Sequence, residues 1–195
     1  MAKWITRDGL RLRVGSPGWR WWKKNRRAIE GNAAPIKKKS APKHHPLTFE
    51  HRVVAFCHTA LEYAGKMTYD EGALRSQLFH RKPGDFKGAH ADCSQLVSSI
   101  LHWCGVKIVT ATDYTGTLLK KGKLVASPAP ARVVIFGPGT GTHGAFITEK
   151  AGVDWWVVGF GHQGAPDRVR LSTLEGYFKT AGHPGVRYLD FSHLA

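Results

Sequence analysis

The chain has 195 residues, a mass of 21.6 kDa and 42% apolar side chains, which is enough for one domain with a hydrophobic core plus a shorter segment. No run approaches the roughly 18 consecutive apolar residues of a membrane helix, and the charged N-terminus lacks the apolar stretch of a secretory signal peptide. Three cysteines without a Cys-x-x-Cys pair argue against both a disulfide framework and a zinc knuckle.

The net charge of +15 is concentrated near the N-terminus. Residues 1–48 hold 13 basic and 2 acidic side chains, a net charge of +11, which leaves +4 for the rest. Residues 1–30, which contain four of the seven tryptophans, predict a basic arm or small subdomain, and the Pro, Ala and Lys-rich residues 31–48 predict a linker. Tryptophan among cations can stack on sugars or bases, so the arm is either a polyanion-binding segment or a solvated tail. Residues 49–195 are the predicted main domain.

Two helices are predicted in the first half of the main domain. Apolar residues recur at helical spacing over 49–64 after Thr48, which is a good N-cap, and again over 93–104. A glycine follows each segment and is typical of a helix end. Residues 66–91 have little periodicity and several glycines and prolines, so they predict mostly irregular surface.

Short β-type runs dominate the second half of the chain. Turn residues separate the predicted strands at 131–136, 143–149, 154–161 and 186–190, and a short helix is predicted near 174–180. Helices followed by strands favour an α+β domain over a doubly wound one.

Cys93 occupies a chemically favourable position at the start of the second predicted helix. Asp92 can cap that helix, and Gln95 stands at the third position of a capping box. Unpaired N–H groups and the positive end of the helix dipole favour a thiolate there, so the pattern predicts a lowered pKa for Cys93 and a site for an oxyanion. Cys57 and Cys104 lie on apolar helical faces and are predicted to be buried core residues.

Two histidines flank a predicted β-hairpin. His143 opens one strand and His162 follows the next, so a turn at Ala151-Gly152 would pair His143 with Phe160 and project His162 from the same face. A bulge or longer turn would place the two histidines directly opposite each other. Either arrangement suits a cysteine–histidine–polar triad, in which one imidazole takes the thiol proton and the second imidazole orients the first.

Two other kinds of site fit the sequence less well. The histidines and a cysteine lack the tight local spacing of most catalytic zinc sites, so no metal is predicted. The glycine-rich residues 137–141 have no lysine and precede a strand, so they predict a loop beside the site and not a phosphate-binding loop. No cofactor is predicted.

The motifs resemble the NlpC family of papain-like cell-wall cysteine peptidases. Asp92-Cys93-Ser94 opens a helix, His143 begins a strand about fifty residues later, and a polar residue follows on the next strand. Residues 114–119 and 161–166 are similar to stretches in phage lysins and tail-associated hydrolases of actinobacterial phages. The resemblance covers about residues 49–191.

This resemblance implies a papain-like α+β fold with N-terminal helices packed on a small antiparallel sheet. It implies that Cys93 is the nucleophile, His143 the general base and acid, and His162 the orienting residue. The substrate-binding residues that it implies are Tyr69, Asp92 and Ser94. The bond cleaved by the family, between D-glutamate and diaminopimelate in the peptidoglycan stem peptide, would be the substrate, and no cofactor is implied.

The expected partner is therefore bacterial peptidoglycan, with the basic arm contacting anionic wall polymers. Without a signal peptide, the protein would be made in a host cytoplasm and act after lysis or as part of a virion. Two alternatives of the same chemistry stay open, an N-acetylmuramoyl-L-alanine amidase and a papain-like acyltransferase. A third is an inert, basic nucleic-acid-binding or structural virion protein, whose binding would weaken steeply with salt.

Overall fold

The structure is a computed structural model that describes residues 4–7, 10–13, 47–161 and 165–195. Two short strands, β1 (Trp4–Arg7) and β2 (Leu10–Arg13), pair antiparallel within the predicted arm. The predicted linker, apart from its last two residues, lies outside the described residues.

The first half of the main domain is built around two helices. Helix α1 spans Phe49–Leu61, and the Thr48 side chain caps it by accepting a hydrogen bond from the His51 N–H at 3.3 Å. Helix α2 spans Cys93–Trp103, so both predicted helices are confirmed with earlier ends. Between them lie β3 (Thr68–Tyr69), a 3₁₀ turn (Gln77–His80) and β4 (His90–Ala91), and β3 pairs with β4 in parallel.

A six-stranded sheet forms the second half. Its elements, in chain order, are α3 (Thr115–Lys121), β5 (Lys123–Val125), β6 (Val133–Phe136), β7 (His143–Ala151), β8 (Asp154–Phe160), β9 (Pro166–Arg170), α4 (Leu171–Thr180) and β10 (Val186–Asp190), followed by a 3₁₀ turn (Ser192–Leu194). The strand order is β5-β10-β6-β7-β8-β9, and all neighbours are antiparallel. The α+β prediction is confirmed. The sequence pattern did not predict α3, β5 or β9.

The sheet buries apolar side chains on both faces because successive residues of a strand point to opposite sides. Ile135, Phe146 and Val158 join the core formed with α1 and α2. Phe136 and Ala145 belong to a second cluster, against which Phe178 and other residues of α4 pack. In the first part of β7, Gly144 and Phe146 therefore face α2 near the site, whereas Ala145 and Ile147 face α4.

The predicted register of the β7–β8 hairpin is wrong by one residue near its open end. Ala145 pairs with Gly159 because the turn lies at Gly152-Val153 and a bulge shifts the register between Ile147 and Glu149. The predicted pairing of His143 with Phe160 is therefore not observed. The argument that projected His162 from the same face depended on that register, and His162 itself lies outside the described residues.

Candidate active site

Cys93 lies in a cleft at the N-terminal end of α2. The cleft has a volume of about 230 Å³. Its lining residues are Tyr69, Glu71, Arg75, Asp92, Cys93, Ser94, Tyr114, Thr115 and Thr142. Four of the residues singled out from the sequence, Tyr69, Asp92, Cys93 and Ser94, are thus brought together.

Asp92 fixes the first turn of the helix. Its Oδ1 accepts hydrogen bonds from the Gln95 backbone N–H at 2.7 Å and from the Ser94 hydroxyl at 2.7 Å, so the predicted N-cap is confirmed. The Gln95 side chain, predicted to complete a capping box, instead donates to the Asp113 carbonyl oxygen at 2.7 Å. The helix start is therefore tied to the segment that precedes α3.

Arg75 links three parts of this wall of the cleft. Its Nε lies 3.0 Å from Oδ2 of Asp92, and its Nη2 donates to the Ser94 hydroxyl at 3.2 Å and to the Asp113 carbonyl at 2.9 Å. The buried Asp113 carboxylate in turn accepts from Lys121 Nζ at 2.7 and 2.8 Å. These charge-assisted contacts hold the segment that carries Tyr114 and Thr115 against the helix start.

Burial dominates the protonation of Cys93. The side chain is only 7% exposed, and the resulting desolvation raises the pKa of the thiol to about 11, assisted by the negative charge of Asp92. Hydrogen bonds from the backbone of Gly144, the backbone of Ser94 and the side chain of Tyr69 act in the opposite direction. The predicted lowering of the Cys93 pKa is therefore wrong, because desolvation by burial outweighs the helix-start donors. Cys93 is a neutral thiol at pH 7.

Tyr69 also lines the cleft and contacts the Cys93 sulfur. Its ring packs edge-on against Phe160, with the centroids 5.5 Å apart, and its hydroxyl donates to Oε1 of Glu71 at 2.9 Å. Burial, followed by the nearby Cys93 and Glu71, raises the pKa of the Tyr69 hydroxyl well above its usual range. The hydroxyl therefore remains protonated and available as a donor.

His143 begins β7, as predicted, and directly precedes the glycine whose backbone contacts the Cys93 sulfur. Its partly exposed ring stacks on Phe178 of α4 at 5.5 Å and lies 6.1 Å from the ring of Phe136. A Cβ added to Gly159 would come within 3.0 Å of His143 Nε2, so the glycine makes room for the imidazole. The described contact that joins this strand to Cys93 is the Gly144 backbone.

Thr142, which directly follows the glycine-rich residues 137–141 predicted to form a loop beside the site, lines the cleft. Arg187 of β10 holds this loop by donating to the carbonyl oxygens of Gly137 at 2.5 Å and Gly139 at 2.6 Å. The Thr115 hydroxyl donates to the Gly141 carbonyl at 3.2 Å.

Sequence reasoning did not single out Glu71, Arg75, Tyr114 or Gly159 as parts of the site. The hydrogen-bond partners of Arg75 and the imidazole that Gly159 makes room for stand far along the chain, so local patterns carried no signal for these two residues. The proximity of Glu71 to Tyr69 in the sequence was the one available clue.

Comparison of the chain with models of known protein families and with curated protein sequences finds no match. Within the described ranges, no group of three His, Cys, Asp or Glu side chains is arranged to hold a metal ion. None of the helices in the same ranges is long and apolar enough to cross a membrane.

Proposed function

We propose that the protein is a peptidoglycan hydrolase, a cysteine endopeptidase that cleaves the stem peptide with Cys93 as its nucleophile. The observation that carries this proposal is the position of the Cys93 sulfur. It lies at the start of α2 in a cleft, and two backbone groups and a tyrosine hydroxyl are hydrogen-bonded to it. A cysteine that served only as core filler would have no need of these donors.

The raised pKa of Cys93 favours a mechanism in which a base removes the proton as the sulfur attacks. His143 is assigned as this base on the resemblance to NlpC-type peptidases and on its place at the start of β7, directly before Gly144, whose backbone contacts the sulfur, although its ring also stacks on Phe178 of α4. His143 takes the proton of Cys93, and the sulfur forms a bond to the carbonyl carbon of the scissile amide. His162 is assigned the orienting role on the resemblance to NlpC-type peptidases alone.

The tetrahedral intermediate needs donors for its oxyanion. The backbone N–H groups of Ser94 and Gly144 converge on the sulfur, and the hydroxyl of Tyr69, which donates to Glu71, lies beside it, so a carbonyl oxygen bound there would be within reach of all three. His143 then gives its proton to the leaving amine as the C–N bond breaks. Water, activated by the same imidazole, hydrolyses the thioester and restores the thiol.

The substrate assignment depends on resemblance and charge. NlpC-type enzymes cleave between D-glutamate and diaminopimelate, and a chain with a net charge of +15 is attracted to the phosphates and carboxylates of a cell wall. A phage lysin or virion-associated lysin, with residues 1–48 as a wall-binding arm, accounts for both features.

The test is hydrolysis of purified cell walls by the Cys93→Ala variant. We expect loss of at least about a thousandfold in rate with an unchanged fold, because the nucleophile is removed from a site that the alanine still fills. Cys57→Ala, which alters a buried thiol of α1, is the matched control and should retain activity. Mass spectrometry of the products should show cleaved stem peptides.

Two outcomes would change the assignment. Intact stem peptides released from the glycan would indicate an amidase that uses the same cleft. Wall digestion by Cys93→Ala at the parental rate would refute the cysteine mechanism.

A further inference from the structure

Glu71 lies on the rim of the cleft and contacts neither Cys93 nor the helix start through any of its described hydrogen bonds. Its side chain is exposed, and its carboxylate accepts the hydroxyl of Tyr69 at 2.9 Å. The same Tyr69 side chain is hydrogen-bonded to Cys93. Glu71 is thus connected to the sulfur through one intervening phenol.

A phenol carries a single hydrogen, and this one has two acceptors within reach. While Tyr69 donates to the Glu71 carboxylate, only its oxygen faces Cys93, and that oxygen can accept the S–H of a thiol but cannot stabilise a thiolate. When the hydroxyl turns to the sulfur, it stabilises a thiolate and loses the carboxylate. The two hydrogen-bonding states of Tyr69 therefore correspond to the two protonation states of Cys93.

We propose that Glu71 is a positioning residue that draws the Tyr69 hydroxyl away from Cys93 and so adds to the effect of burial in keeping the cysteine in its unreactive thiol form. A partner that neutralises Glu71 releases the hydroxyl to the sulfur or to the oxygen of a reacting carbonyl. The proposal deepens the proposed function, since it rests on Cys93 as the nucleophile, but its test does not require wall hydrolysis.

The other charged and titratable groups around the sulfur are the same in both hydrogen-bonding states of Tyr69. Asp92, paired with Arg75, lies at the helix start, and His143 precedes the contacting glycine of β7. Asp70, next to Glu71 in the chain, is paired with His90 at 3.2 Å. None of these groups shares the hydroxyl of Tyr69 in the described hydrogen bonds.

The experiment measures the rate of Cys93 alkylation by iodoacetamide as a function of pH, with peptide mass spectrometry to isolate the Cys93 signal. The sulfur displaces iodide only as the thiolate, so the rate rises with pH toward the pKa of the thiol. We expect the Glu71→Gln variant to react about tenfold faster at pH 8 and to show its rise about one pH unit lower. Because Glu71 is exposed, we expect the variant to fold like the parent.

A matched control is available at the other end of the sheet. Tyr188 of β10 donates to Glu175 of α4 at 3.3 Å, a second tyrosine–carboxylate pair without a cysteine beside it in the described contacts. Glu175→Gln removes the same charge and should leave the alkylation profile of Cys93 unchanged.

A double-mutant cycle distinguishes the shared hydroxyl from simple charge repulsion. In a Tyr69→Phe background the hydroxyl is absent, so Glu71→Gln should change the rate less than about twofold. Equal fold-changes in the two backgrounds would overturn the proposal, as would a Glu71→Gln profile identical to that of the parent. If Cys93→Ala still digests walls while the cycle behaves as expected, the proposed function fails and the role of Glu71 stands.

Discussion

Gly159 is the residue whose missing side chain gives His143 its space. A Cβ at this position would lie 3.0 Å from His143 Nε2 and 3.1 Å from the Cβ of Ala145, both closer than real Cβ contacts allow without movement. We expect Gly159→Ala to displace the imidazole and to lower the rate of peptide hydrolysis by about tenfold to a hundredfold, because small misplacements of a base are costly. The measurement is turnover of a soluble muropeptide together with the NMR titration of His143.

The neighbouring glycine provides the control for this prediction. Among the described residues, a Cβ on Gly161 would meet Asp167 Oδ2 at an ordinary distance of 3.8 Å, so Gly161→Ala should leave the titration of His143 unchanged. A normal rate and a normal titration in Gly159→Ala would show that the imidazole does not need its observed position.

Helices α1 and α2 contact each other around two buried thiols. Burial is the main cause that raises the pKa of Cys57 well above its usual value and that of Cys104, the C-cap of α2, to about 12. Between pH 9 and about pH 12 the unfolded chain loses these protons while the folded chain keeps them. The free energy of unfolding should therefore be fully retained below pH 9 and fall above it, by about 1.4 kcal/mol per pH unit for each thiol.

Urea titrations at pH 8, 9, 10 and 11 check this dependence. The Cys57→Ala/Cys104→Ala double variant is less stable at every pH because of the atoms removed, but its free energy of unfolding should fall less steeply above pH 9. Parallel slopes for the parent and the double variant would contradict a contribution from the two thiols.

Elements set by local contacts were predictable from the sequence, and those set by distant contacts were not. The starts of α1 and α2 follow from Thr48 and Asp92, whose side chains bond to backbone groups three residues ahead. The register of β7 and β8 depends on a bulge near Thr148 that no local pattern indicated. Likewise, the position of Cys93 at a helix start was predicted correctly, but the direction of its pKa shift depends on burial by residues from elsewhere in the chain.

Over the whole molecule, charge and chemistry are separated along the chain. The residues that line the cleft lie within 69–142 and their supporting contacts reach Arg187, whereas most of the net charge of +15 belongs to residues 1–48. Long-range attraction to an anionic polymer depends on the total charge and is screened by salt, whereas the reaction in the cleft depends on a few partly buried groups. Attraction to the wall should therefore respond to changes of total charge and salt, and the reaction to substitutions in the cleft.

Neutralising the arm in the full-length chain tests this separation. Replacing the nine Lys and Arg residues between positions 20 and 43 with Gln lowers the net charge from +15 to +6 and keeps the tryptophans. At low salt we expect hydrolysis of whole walls to fall about tenfold or more, because the local concentration at the polymer falls, while hydrolysis of a soluble muropeptide stays within about twofold. Added salt should reduce the activity of the parent on walls toward that of the variant. Equal losses on both substrates would instead mean that the arm supports the structure of the cleft.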